Sequence, residues 1–211
     1  MMRRKLTLAA LLGSAFAAAA VGTTLVSAAV DSSEGPAKVQ RVDPELSAKF
    51  SVLRQETASD TTARQSQEDA TMAETGVNPD LGRTGARLGA DVSVVSPSKT
   101  GLCIGTKSLG ILTCGDTANA IEGEVVGSVI CSKHVPADKV EVLGAFPDEV
   151  TELRAELSDG STATYPVGSN TFVRQFDKSA PVPLYLSFDA NGASQRVRTA
   201  LPENGDLGCG G

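Results

Sequence analysis

The residues able to do chemistry are few and lie far apart. His134 is the sole histidine, so it is the only base open to a Ser-His-Asp triad, and no histidine pair exists to grip a metal. It sits in the polar stretch Ser132-Lys133-His134-Val135-Pro136. No Gly-x-Ser-x-Gly nucleophile turn accompanies it, and it reads as an exposed loop histidine. Two carboxylate pairs have the spacing for acid and base roles: Asp148 with Glu149, and Glu152 with Glu156. The first pair follows Pro147 in a turn, and the second alternates along the polar face of a strand. Both patterns suit a solvated acidic surface. Sugar cleavage would also call for aromatic platforms, and the chain has no Trp. Asp189-Ala190-Asn191-Gly192 starts like a calcium loop. Ala193, Ser194 and Gln195 follow where more oxygen ligands and a closing Glu are needed, so the stretch reads as a plain β-turn. A phosphate-cradling Gly-x-x-x-x-Gly-Lys run and an Asn-x-Ser/Thr sequon are both missing. No catalytic, cofactor or metal residue is assigned, and the expectation is a non-enzyme without a cofactor.

The four cysteines, Cys103, Cys114, Cys131 and Cys209, offer more. Outside the cytoplasm an even number reads as disulfides, with three pairings open. Cys103 and Cys114 lie on neighbouring predicted strands and are favoured as one pair. Cys131 with Cys209 follows by elimination and ties the C-terminus to the core. On the chain-entropy model that closure is worth about 4 kcal/mol. A four-cysteine zinc site fits poorly, because ten, sixteen and seventy-seven residues intervene and no C-x-x-C knuckle occurs. Between the first two cysteines, the Gly105–Gly110 loop presents Lys107, Ser108 and Leu109 as a candidate interaction loop.

The elements that would position these residues begin after an export segment. Arg3, Arg4 and Lys5 form a charged start, and an apolar run extends from Leu6 to Val21. Val26-Ser27-Ala28 offers small residues to a peptidase, so residues 1–28 are expected to be a signal peptide, with a retained membrane anchor as the alternative. Removing the three basic residues leaves 16 Lys+Arg of 19 against 25 Asp+Glu, a formal charge of −9. Such a chain repels phosphate backbones, which argues against nucleic acid as a partner. Residues 29–42 read as a disordered linker. Residues 43–90 read as a helical or partly disordered segment. It opens with the cap Asp43-Pro44 and an amphipathic helix to about Arg54 whose face carries Val42, Leu46, Phe50 and Leu53. Asn78-Pro79 starts a further helical turn.

From Asp91 to the end, short Val/Ile/Leu runs alternate with turn signals. Ser158-Asp159-Gly160-Ser161 joins two alternating strands as a hairpin, and Asp116 caps a short helix through Ile121. About nine strands are read. The fold class is mainly β: a small β-sandwich or open barrel with two disulfides, preceded by the short helical segment and the signal peptide.

Several motifs share an order along the mature chain: Phe50-Ser51-Val52-Leu53-Arg54, Asn78-Pro79-Asp80-Leu81, a Val-rich strand ending at Pro97, and Cys103 with Cys114. Gly123, Gly144-Ala145-Phe146-Pro147-Asp148-Glu149-Val150, Asp159-Gly160 and Asn170-Thr171-Phe172 follow. In this the chain resembles a family of uncharacterised exported proteins of high-GC Gram-positive bacteria. The resemblance implies export and a shared fold and no known activity, and Cys131 and Cys209 stand outside its pattern. The functional expectation is an exported protein of the cell envelope or extracellular space, a non-enzymatic binding or structural module for an unknown protein or cell-wall component. It would touch a membrane only through an uncleaved N-terminal segment. The alternatives are a secreted protease inhibitor presenting the Gly105–Gly110 loop and, more remotely, a hydrolase with an unrecognised site.

Overall fold

The structure, a computed structural model, describes residues 41–55, 76–78, 81–203 and 207–208. The signal segment, most of the linker, the polar run 56–75, Pro79-Asp80 and Cys209 lie outside these residues. No described helix is long and apolar enough to cross a membrane.

Helix α1 spans Pro44–Lys49, where the cap and the proline were read. Asp43 accepts a hydrogen bond from the Glu45 amide at 2.8 Å, satisfying one of the orphan donors of the first turn. The helix does not run on to Arg54. Phe50 is extended at φ −122°, ψ 101°, and a 3-10 turn follows over Ser51–Arg54. Two long-range demands break it. The Phe50 ring is fully buried in the core, and the Ser51 amide turns away to Asp148 at 2.6 Å.

The rest is antiparallel β-structure in three sheets. The first holds β1 (Arg83–Leu88), β2 (Asp91–Pro97), β3 (Gly101–Thr106) and β4 (Gly110–Asp116) in that order. Helix α2, Thr117–Ile121, follows, capped by Asp116 as expected. The second sheet is β5 (Val125–Val129), β6 (Lys139–Ala145) and β9 (Thr171–Asp177). The third has the order β11 (Ala193–Arg198), β10 (Pro183–Ala190), β7 (Glu152–Leu157), β8 (Thr162–Pro166). Eleven strands are thus present among the described residues, not nine. Since β1 belongs to the first sheet, β-structure begins before residue 91, inside the segment read as helical or disordered.

The second sheet is the middle layer. In β6 the run from Val140 to Ala145 is buried throughout, as a strand covered on both faces must be. Val140 and Val142 pack toward the third sheet with Leu153, Leu186 and Val197. Leu143 and Ala145, one register step away, pack toward the first sheet with Val95, Ile104 and the α1 residues Leu46 and Phe50. One alternating strand therefore serves two cores. The second sheet shares one core with the third sheet and another with the first. Its seams are close: a Cβ on Gly85 of β1 would lie 2.3 Å from Thr171 Oγ1 of β9, and one on Gly127 of β5 would lie 3.1 Å from Thr113 of β4.

Candidate functional site

Cys103 and Cys114 face each other directly across β3 and β4 and are disulfide-bonded, with Cα atoms 4.0 Å apart. The bridge lies at the close spacing of a cross-strand pair. It braces the hairpin whose tip was read as the interaction loop. That tip is shorter than the sequence suggested, because Gly105 and Gly110 are already strand residues and only Lys107, Ser108 and Leu109 turn the corner. The Lys107 amide donates to Val92 O at 2.9 Å. The Ser108 hydroxyl donates to Asp91 Oδ2, and the Leu109 amide donates to Thr106 Oγ1 at 3.3 Å. The loop is thus fastened to the start of β2, with Ser108 exposed and Lys107 and Leu109 half-buried.

His134 stays apart from the other candidates, in an exposed turn where its amide donates to Ser132 Oγ at 3.2 Å. No group of three or more His, Cys, Asp or Glu among the described residues can hold a metal ion. Of Asp189–Gly192, the first two residues end β10 and Asn191-Gly192, at φ +52° and +75°, form the two-residue turn into β11. Asn191 receives Lys49 Nζ at 2.6 Å and gives its own amide to Glu149 Oε1 at 2.7 Å. Of the second carboxylate pair, Glu156 is committed to Arg196, which donates Nε and Nη2 to its two oxygens at 2.9 and 2.8 Å. The Arg196 guanidinium lies 3.5 Å from the Tyr185 ring centroid.

Asp148 is the most perturbed carboxylate, and its role escaped the sequence reading. Its Oδ1 accepts from the Ser51 amide at 2.6 Å and from Asn170 Nδ2 at 2.8 Å, and its Oδ2 accepts from Arg54 Nη2 at 2.8 Å. Asn170 completes the clamp. Held at φ +61°, it donates to Phe146 O at 3.0 Å and accepts from Ser51 Oγ and the Val52 amide, each at 2.9 Å. Burial pushes the Asp148 carboxyl up. The donors from Ser51, Asn170 and Arg54 outweigh burial and hold it at about 2. Ser51, Asp148 and Asn170, far apart in the chain, meet in this clamp. Pro147-Asp148 is more than a turn: it fastens the 3-10 turn after α1 to Asn170, just before β9.

Residues 131–137, around His134, line a hollow of about 660 Å³, and two further concave surfaces stand out among the described residues. The outer face of the third sheet forms a hollow of about 870 Å³ walled by Glu149, Glu152, Glu156 and Asp189, with Arg154 its one cation. A second groove, of about 410 Å³, runs where three strands converge: residues 86–88 of β1, 165–168 around the end of β8, and 171–174 of β9. Its lining carries Arg87 and Arg174 and no carboxylate. Arg174 is held with its guanidinium 4.6 Å from the Tyr165 ring centroid. Neither arginine is ion-paired among the described residues. No sequence signal announced this groove, since β1 and β9 are far apart in the chain.

Set against known protein families, curated proteins and solved structures, the chain matches none.

Proposed function

We propose that this chain is an exported, non-enzymatic binding module of the cell envelope or extracellular space, and that it takes an acidic segment of a partner protein into the groove between β1, β8 and β9. The observation that carries the reading is the composition of that groove. Two arginines and no acid line it, on a chain with 25 Asp+Glu against 19 Lys+Arg. Concave, low-dielectric walls concentrate the field of such charges, and guanidinium forks match carboxylates. Strand backbone also frames the groove, which suits a peptide better than a glycan polymer. Pro166 lacks an N–H at the strand edge, where the neighbouring Val167 amide turns inward to Thr151 O at 2.9 Å. That keeps open-ended strand pairing in check.

Cleavage after residue 28, membership of the exported family that the chain resembles, and a second bridge between Cys131 and Cys209 belong to the same proposal. The hydrolase alternative finds less support. Asp148 is a fastener whose donors hold it well below the usual carboxylate range, the reverse of an acid poised to give up a proton near neutral pH. The inhibitor alternative loses ground because its loop is three residues long and tied down through Ser108. A panel of trypsin-like and subtilisin-like proteases would revive it on stoichiometric inhibition.

The binding test is fluorescence anisotropy with a labelled glutamate-rich peptide. At exposed positions each arginine contact is worth about 1 kcal/mol, so Arg87→Glu with Arg174→Glu should weaken binding about tenfold or more, and added salt should weaken the wild type. No binding, or equal binding by the variant, would reject the groove. Tighter binding of an anionic glycan than of the peptide would reassign the partner.

A further inference from the structure

We infer that Glu141 makes the seating of the first sheet on the second depend on protonation, so that the domain is tightest in mildly acidic surroundings and loosens as the medium becomes less acidic. Glu141 lies on the face of β6 that meets the first sheet, two residues before Leu143, and is 1% exposed. Its Oε2 accepts one hydrogen bond, from Gln175 Nε2 on β9 at 3.0 Å. Its Oε1 is the single buried side-chain polar atom without a partner among the described residues. A buried orphan acceptor costs more than a made hydrogen bond returns, and more again when it is charged.

The groups around it do not relieve that cost. Asp91, at the start of β2 in the facing sheet, acts on Glu141 with a charge of the same sign. Asp91 is itself engaged by the Val92 amide and by Ser108. Lys139, on β6, is paired with Asp177 of β9. β5 presents Val129 opposite Glu141. Burial pushes the Glu141 carboxyl up from its ordinary value. The Gln175 bond pulls it down and Asp91 adds to the rise, leaving it raised overall. Protonation removes both the desolvated charge and the repulsion from Asp91.

The direction follows from linkage. The folded state holds this proton more tightly than the unfolded chain does. The contribution is therefore complete below the ordinary value of 4.5, and it is lost as pH rises through the folded value. One proton changes the unfolding equilibrium by up to about tenfold per pH unit within that window.

Urea unfolding of the wild type and Glu141→Gln, from about pH 4.5 to 8, tests the inference, with carboxyl NMR titration of Glu141 alongside. The wild type should lose stability relative to Glu141→Gln as pH rises, then run parallel to it, and amide protection in β2 and β3, corrected for the intrinsic rise of exchange with pH, should fall in the wild type relative to Glu141→Gln over the same range. If Glu141→Gln does not fold, Gln175→Leu serves instead. Without the donor that favours the ion, the Glu141 titration should move to higher pH. Parallel stability curves at every pH, or titration of Glu141 in the ordinary carboxylate range, would overturn the inference.

Discussion

At the scale of the residue, Asp148 and Glu141 are two carboxylates with opposite fates. Asp148 gathers donors and falls to about 2, whereas Glu141 is left with an empty acceptor and rises. Asp148→Ala should cost about 2 kcal/mol, because it removes the acceptor of the Ser51 amide, of one Asn170 Nδ2 hydrogen and of Arg54 together. It should also release the N-terminal segment, seen as new proteolytic cuts around residues 50–55. The clamp has a pH signature as well. Since Asp148 is depressed from 3.8, its contribution is present above that value and lost as pH falls through about 2. The carboxylate is partly exposed, so about 1 kcal/mol is a fair size after screening. Acid unfolding of the wild type should be steeper below pH 4 than that of Asp148→Ala. The turn at Pro147-Asp148 was legible in the sequence because turn chemistry is local. Its partner Ser51 was not, for it stands 97 residues away, and no single-sequence pattern encodes such a pairing.

At the scale of the element, what is local reads well and what is distant does not. The β7–β8 hairpin was plain from its alternation and from Asp159-Gly160, where Gly160 takes φ +81°. The Asp116 cap of α2 was equally plain. Strand β1 was missed because Arg83-Thr84-Gly85-Ala86-Arg87-Leu88 lacks an apolar alternation; it is a strand because β2 and β9 flank it. Gly85 marks that seam. Thr171 Oγ1, which it approaches, is fixed by the Ala86 amide at 2.6 Å and by Ser93 Oγ at 2.9 Å, so it cannot give way. Gly85→Ala should therefore destabilise by about 2 kcal/mol or more, measured by chemical denaturation. Cys103–Cys114 closes 11 residues and should contribute about 3 kcal/mol on the chain-entropy model. Non-reducing peptide mapping should recover this bridge and a second one joining Cys131 to Cys209, and any other pairing would refute the second.

At the scale of the molecule, two cores share one central sheet, and an aromatic-poor composition suffices because its few rings sit at junctions. Phe146 meets Phe188 edge-on at 5.1 Å, and Tyr165 bridges β8 to Phe172 and Phe176 of β9, each at 5.8 Å. The mainly-β class was legible in the sequence. The layering was not, since which face of β6 meets which sheet depends on contacts among all three. The same convergence of β1, β8 and β9 creates the acid-free groove, a property of no single segment. The central claim is that this groove receives an acidic partner. The most direct measurement is affinity capture with the oxidised protein from residue 29, run side by side with the Arg87→Glu and Arg174→Glu double variant and read by mass spectrometry. The account predicts a discrete protein that the wild type retains, that the variant loses, and that binds again as an isolated acidic segment. A partner held equally by both proteins, with both shown to be folded, would contradict it.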